Sequence, residues 1–324
     1  MIARSADNLR VLYVAGLPRS GSTVLGCVLG KLPGTIFVGE LAFFWRRFAA
    51  GELCSCGMPL PDCHFWSVVV GKAFGQLTRE QATELNKLEQ RVVGRLRVLG
   101  LAPVRCSTHW AKRINILLEE RHRLYRSICE VANAECLVDS GKEVTFGSMM
   151  ARLNNTSFST IHLVRDPRGV AFSWQKQVRS DSEPGDMPRS SALKTAARWV
   201  STNLFVQVSL RRLSSAYSRV RYEDLVAYPD DIARQISCAT ANAAGSYRWA
   251  DQRVRRANEH HLVGSNPGVR RYLGGDLRLM LDEEWRTGLP RRQQWLVTAV
   301  CGGLMAAYDY PLRMQRHLYA SRAS

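Results

Sequence analysis

The sequence lacks any apolar run long enough to cross a membrane. The longest near the C-terminus, Trp295 to Tyr308, is interrupted by Gly302-Gly303 and falls short of the roughly 18 residues a spanning helix needs. A secretory leader is not expected either, because the apolar stretch from Val11 to Leu17 is cut by Pro18-Arg19 before it reaches the length of a signal core. A soluble, cytoplasmic protein is therefore expected, and its nine cysteines, an odd number without an export signal, are expected as reduced thiols. Acidic residues are scarce, 28 against 45 basic ones, and the net charge of +17 favours anionic partners such as nucleotides or acidic glycans. No long basic arm gathers that charge. Pairs such as Arg46-Arg47, Arg211-Arg212, Arg255-Arg256 and Arg291-Arg292 are scattered along the chain, which argues against nucleic acid as the partner. Internal repeats and low-complexity tracts are also missing.

What is present fits one large α/β domain over residues 1–324, with 46% hydrophobic and 23% charged residues. Short apolar runs alternate with amphipathic helices, the pattern of a three-layer fold with a central, mainly parallel sheet flanked by helices. The strands are expected at Val11–Ala15, Thr35–Val38, Cys136–Val138, Ser159–Val164 and Arg219–Tyr222. A long segment, about 51–133, interrupts them with helical stretches near Thr78–Val98 and Trp110–Val131. It reads as a helical insertion capping the site, and Thr78 with Gln81 reads as a capping box. Ser180–Ser190, with Pro184, Gly185 and Pro188, reads as a mobile loop and candidate lid.

Polar clusters follow the clearest three strands, where ligands bind in open α/β sheets. The first, Gly16-Leu17-Pro18-Arg19-Ser20-Gly21-Ser22-Thr23, follows a strand and opens a helix with the spacing of a P-loop, but Ser22 stands where a nucleotide triphosphatase carries lysine. Loop amides and the helix N-terminus still suit a phosphate, with Ser20, Gly21, Ser22 and Thr23 as ligands and Arg19 adding charge. Reach to a γ-phosphate is poorly served without the lysine. The second cluster runs Val164-Arg165-Asp166-Pro167-Arg168-Gly169-Val170-Ala171-Phe172-Ser173, in which Arg165 and Ser173 are placed to converge on a second phosphate.

Together these two clusters resemble the paired signature of sulfotransferases that use 3′-phosphoadenosine 5′-phosphosulfate (PAPS). Val138-Asp139-Ser140-Gly141-Lys142, Arg221-Tyr222-Glu223-Asp224-Leu225-Val226 and His261-Leu262-Val263-Gly264-Ser265-Asn266-Pro267 match in the expected order, so the resemblance covers most of the chain. It implies the P-loop-like sulfotransferase fold, with PAPS as co-substrate and no metal required. The loop then holds the 5′-phosphosulfate, Arg165 and Ser173 the 3′-phosphate, Tyr222 lies near the adenine, and Gly264–Arg271 closes over the nucleotide. Glu40, in Phe37-Val38-Gly39-Glu40, falls where the carbohydrate and tyrosylprotein branches carry a catalytic glutamate. It is the expected general base, with a pKa raised by burial. Lys142 and Arg19 are the expected stabilisers of the leaving group.

The acceptor is expected to be a hydroxyl or amine of a carbohydrate or other small molecule, with Phe43, Phe44, Trp45 and Trp110 as candidate pocket residues. His109 is a rival base, since the cytosolic branch of the family uses a histidine, and His260 and His261 are candidate supporting groups. A small-molecule kinase on the same loop, or a non-catalytic nucleotide- or glycan-binding module, are the alternatives. Cys54, Cys56, Cys63 and His64 together raise a zinc site as a further alternative to a packed cysteine loop or a disulfide.

Overall fold

The computed structural model describes residues 8–98, 108–178, 188–239, 253–254 and 277–313. Its centre is a five-stranded parallel sheet in the order β2-β3-β1-β4-β5. The elements run β1 (Leu9–Ala15), α1 (Ser22–Leu29), β2 (Thr35–Phe37), α2 (Phe44–Ala50), α3 (His64–Phe74), α4 (Arg79–Val98), α5 (Thr108–Val131), β3 (Cys136–Lys142) and α6 (Val144–Met150). They continue with β4 (Thr156–Val164), α7 (Pro167–Gln175), α8 (Ala192–Phe205), α9 (Arg211–Leu213), β5 (Ala216–Arg221), α10 (Tyr222–Ala227) and α11 (Pro229–Ala239). The short strands β6 (Arg253–Val254) and β7 (Leu277–Arg278) pair antiparallel, and α12 (Trp285–Gly288) and α13 (Arg291–Ala307) close the described chain. All five expected strands form. Tyr222 does not end β5 as expected but begins α10.

β1 shows why the sheet is buried on both faces. Side chains alternate across a strand, so Val11, Tyr13 and Ala15 join one apolar cluster while Leu12 and Val14 join another. The second cluster contains Leu25, Val28 and Leu29 of α1 with Leu225 and Ile236 of α10 and α11. The first contains Trp66 and Val69 of α3 with Leu117, Leu124, Tyr125 and Ile128 of α5. The expected helical cap over the site is therefore corrected: α3, α4 and α5 form a layer of the sandwich. The odd-numbered face of β1 needs an apolar cover, and each fully buried Leu or Ile contributes about 1.5–3 kcal/mol there. The capping box at α4 forms as expected, with the Gln81 amide donating to Thr78 Oγ1 at 3.2 Å and the Thr78 amide to Gln81 Oε1 at 2.8 Å.

Most of the candidate lid lies outside the described residues. Among those described, no helix is long and apolar enough to cross a membrane.

Candidate active site

The loop between β1 and α1 is shaped by positions that tolerate few side chains. A Cβ on Gly16 would sit 2.3 Å from the Leu163 carbonyl oxygen, and one on Gly21 (φ 93°) would sit 2.5 Å from the Tyr222 ring. Arg19 adopts φ 77°, a left-handed conformation that costs an ordinary residue about 1–2 kcal/mol. Ser20 and Ser22 are buried in the loop wall. The first amides of α1 have no carbonyl one turn earlier to bind, so the loop and helix N-terminus present donors to an anion.

Lys142 reaches this loop from β3. Tyr13 pairs with Asp139 but Ala15 pairs with Lys142, so β3 carries one residue more than β1 across the same span. That bulge turns the strand end, leaving Lys142 at φ 62° with its carbonyl accepting from the Gly16 amide at 3.3 Å. The Lys142 ammonium forms an ion pair with Glu40 Oε1, and Arg47 Nη2 lies 3.4 Å from Glu40 Oε2. Burial pushes the Glu40 carboxyl up, but the charges of Lys142 and Arg47 outweigh it and hold the pKa below the ordinary carboxylate value. The raised pKa expected from sequence is thus corrected by two cations, one of which, Arg47, the sequence did not single out. Arg19 also feels the charge of Glu40, so the loop, Glu40 and Lys142 share one electrostatic neighbourhood.

A buried ionic frame holds Glu40 in place. The Leu41 amide donates to Asp139 Oδ1 at 3.2 Å, while Tyr125 donates its hydroxyl to Asp139 Oδ2 at 2.5 Å. Arg121 of α5 is fully buried, pairs with Glu89 of α4 through two bonds of 2.8 and 2.7 Å, and donates to the Leu41 carbonyl at 2.7 Å. Its guanidinium lies over the rings of Trp45 and Phe146. Two helices far along the chain therefore clamp the turn that carries Glu40, Arg121 lying 80 residues beyond Leu41. Desolvation raises Asp139 to about 6, more than its hydrogen bonds lower it.

The other side of the loop is built by β4 and α10. Arg165 Nη1 donates to the Arg19 carbonyl at 3.1 Å, and Nη2 meets Asp282 Oδ2 at 3.0 Å with its guanidinium over the Tyr222 ring. Tyr222 is buried and donates to the Met280 carbonyl at 3.2 Å. Ser173 is half-buried in the last turn of α7. Asp166 caps α7 through the Arg168 amide at 2.9 Å, and Arg168 returns a bidentate pair of 2.9 and 2.6 Å. Glu223 accepts from the Asp166 amide at 3.1 Å and from the Tyr310 hydroxyl at 2.8 Å. Of the charged residues in this cluster, Arg165 borders the loop while Asp166, Arg168 and Glu223 lock its backbone.

Two solved structures share this architecture over nearly their whole length. The sulfotransferase domain of the Synechococcus PCC 7002 olefin synthase matches at a TM-score of 0.51 and 18% identity, covering 94% of this chain and 97% of that one. The sulfotransferase domain from the curacin biosynthetic pathway matches at the same score and identity, covering 94% and 99%. The chain has the sulfotransferase fold. No family model matches the sequence, and no curated protein sequence matches it significantly.

Within this fold the structure brings Arg19, Ser20, Gly21, Ser22, Thr23, Glu40, Lys142, Arg165 and Tyr222 to the carboxyl edge of the sheet. His109 falls in the first turn of α5 with its side chain outside the described residues, as are His260, His261 and Gly264–Arg271. Phe44 and Trp45 are fully buried core residues and do not line a pocket wall. Asp282 was missed by sequence reasoning, for it lies 117 residues beyond its partner Arg165 in an ordinary acidic stretch.

Proposed function

We propose that this chain transfers a sulfuryl group from PAPS to a hydroxyl or amine of a carbohydrate or other small molecule, acting as a single domain. The observation that carries this reading is the source of the cation. Ser22 occupies the loop position of a nucleotide triphosphatase lysine, and Lys142 enters instead from the end of β3, already paired with a carboxylate. A P-loop kinase needs its loop lysine on the terminal phosphates, whereas sulfuryl transfer needs a cation and a base side by side.

The residues present suit the donor. Loop amides at the start of α1, with Arg19, Ser20, Gly21, Ser22 and Thr23, would hold its 5′-phosphosulfate. The loop has no room for a Cβ at Gly21 and so keeps its backbone close to Tyr222, beside which the adenine would lie. Arg165 and Ser173 would hold the 3′-phosphate, with Arg165 exchanging Asp282 for the new anion. The donor supplies an activated sulfuryl group, so the protein's task is positioning, proton removal and charge stabilisation. Lys142 and Arg19 stabilise the leaving phosphate oxygen. As Lys142 turns from Glu40 toward that charge, the carboxylate loses its strongest cationic neighbour and burial raises its proton affinity. Glu40 Oε then accepts the acceptor proton. Recruitment of Lys142 and activation of Glu40 are thereby one event.

The test is transfer from labelled PAPS to a panel of hydroxylated and amine acceptors, without added metal. Glu40→Gln should lower turnover by about 10²–10⁴-fold with the fold intact. Magnesium- and ATP-dependent phosphorylation of the same acceptors would instead establish a kinase, and donor binding with no transfer to any acceptor would establish a binding module.

A further inference from the structure

Outside the active site, three cysteines converge on one point. Cys54, Cys56 and Cys63 place their sulfurs within 4.8 Å of one another, with Cys56 and Cys63 3.6 Å apart, and none is in a disulfide. The backbone is built for this meeting. A tight hairpin, bridged at Leu53 and Pro59, is closed by the Cys54 amide donating to the Met58 carbonyl at 2.8 Å and the Gly57 amide to the Cys54 carbonyl at 2.9 Å. Gly57 adopts φ 89° in that turn, which returns the chain so that Cys54 and Cys56 face the same way. Cys63 arrives as the N-cap of the eleven-residue α3, at the end of the segment that leaves the hairpin.

We propose that Cys54, Cys56 and Cys63 form a thiolate site for a zinc ion. Sulfurs around tetrahedral zinc, each about 2.3 Å from the metal, stand about 3.8 Å apart, close to the spacing already present. Each thiol gives up its proton to solvent as its sulfur bonds the metal, with no change of oxidation state. Cys54 and Cys63 are buried and Cys56 is exposed, so the fourth position opens toward solvent on the Cys56 side. His64 stays outside the converging group. A disulfide would join only two of the three sulfurs and leave the third without a reason for its place. The hairpin is also tied to the candidate active site, because Glu52 at its base lies 3.5 Å from Arg47, the second cation on Glu40. The site is structural, and it stands or falls independently of the sulfuryl-transfer reading.

The test is elemental analysis of the full chain, purified under reducing conditions, followed by cobalt titration of the metal-free chain. One zinc per chain that survives gel filtration is expected, with a cobalt–thiolate charge-transfer band that zinc abolishes. Cys56→Ser should weaken retention at least about tenfold and dim the band. Because Cys56 is exposed, that variant is expected to fold, and the cobalt titration of the unaltered chain decides the matter if it does not. No zinc after reconstitution with no cobalt–thiolate band, zinc content indifferent to Cys56→Ser, or a native Cys56–Cys63 disulfide that zinc does not prevent would each overturn the proposal.

Discussion

The two sides of the phosphate loop use the same kinds of charged pair to different ends. On the β4 side, Arg168 and Asp166 form a bidentate pair with side chains 2% and 9% exposed, further tied to Pro311 and overlain on Trp285. On the β3 side, Lys142 and Glu40 form a pair with side chains 17% and 18% exposed and a second cation at the edge. Complete burial with two parallel bonds makes a pair permanent, because separating it strands an unpaired charge. Partial exposure and a flexible lysine make a pair exchangeable. The first kind builds the frame, and the second is available for chemistry.

The comparison is broken most forcefully at the frame. Arg121→Ala leaves Glu89 buried without its partner and should cost about 3–5 kcal/mol in denaturant unfolding. Replacing Arg121 and Glu89 together by Leu should recover much of that loss. Lys142→Ala, by contrast, should cost much less stability while removing activity, and comparable destabilisation by both variants would erase the distinction. Next in size is pH. Asp139 has its pKa raised to about 6, so the folded state holds its proton more tightly than the unfolded chain. Its contribution is therefore greatest below about pH 4 and is lost as pH rises through about 6, by about 3 kcal/mol in all. Glu40 has the opposite sign: its lowered pKa contributes stability above the ordinary carboxylate value that is lost on acidification. Unfolding free energies against pH should lose the first slope in Asp139→Asn and the second in Glu40→Gln. Gly21→Ala should cost about 1–2 kcal/mol from its left-handed backbone, plus the contact with Tyr222, and weaken nucleotide binding. Smallest of all, Lys87→Ala, which removes an exposed pair with Glu84, should leave the melting temperature unchanged within error.

Much of the candidate active edge was legible because its residues lie beside strand ends, where apolar periodicity stops and a polar cluster starts. Gly16 to Thr23, Glu40, Lys142 and Arg165 all carry that signature. The frame was not legible. Glu89 and Arg121 sit in long helices whose charged residues mostly face solvent, and nothing local separates a buried arginine from an exposed one. Their pairing is decided by how α4 and α5 dock on the sheet, a contact between positions 32 residues apart. The same docking turned an expected cap into a core layer. Arg47 illustrates a smaller gap: it reads as half of one of several scattered Arg-Arg pairs, yet its side chain is 3% exposed and binds Glu40.

The account rests on a loop without its lysine that binds a nucleotide through both a 5′ and a 3′ anion. Calorimetric titration with 3′-phosphoadenosine 5′-phosphate, beside AMP and ATP, and repeated on Arg165→Ala, tests this most directly. The account predicts tight binding of the bisphosphate, much weaker binding of AMP and ATP, and loss of that preference in the variant. Equal or tighter binding of ATP, or a bisphosphate affinity indifferent to Arg165→Ala, would contradict it.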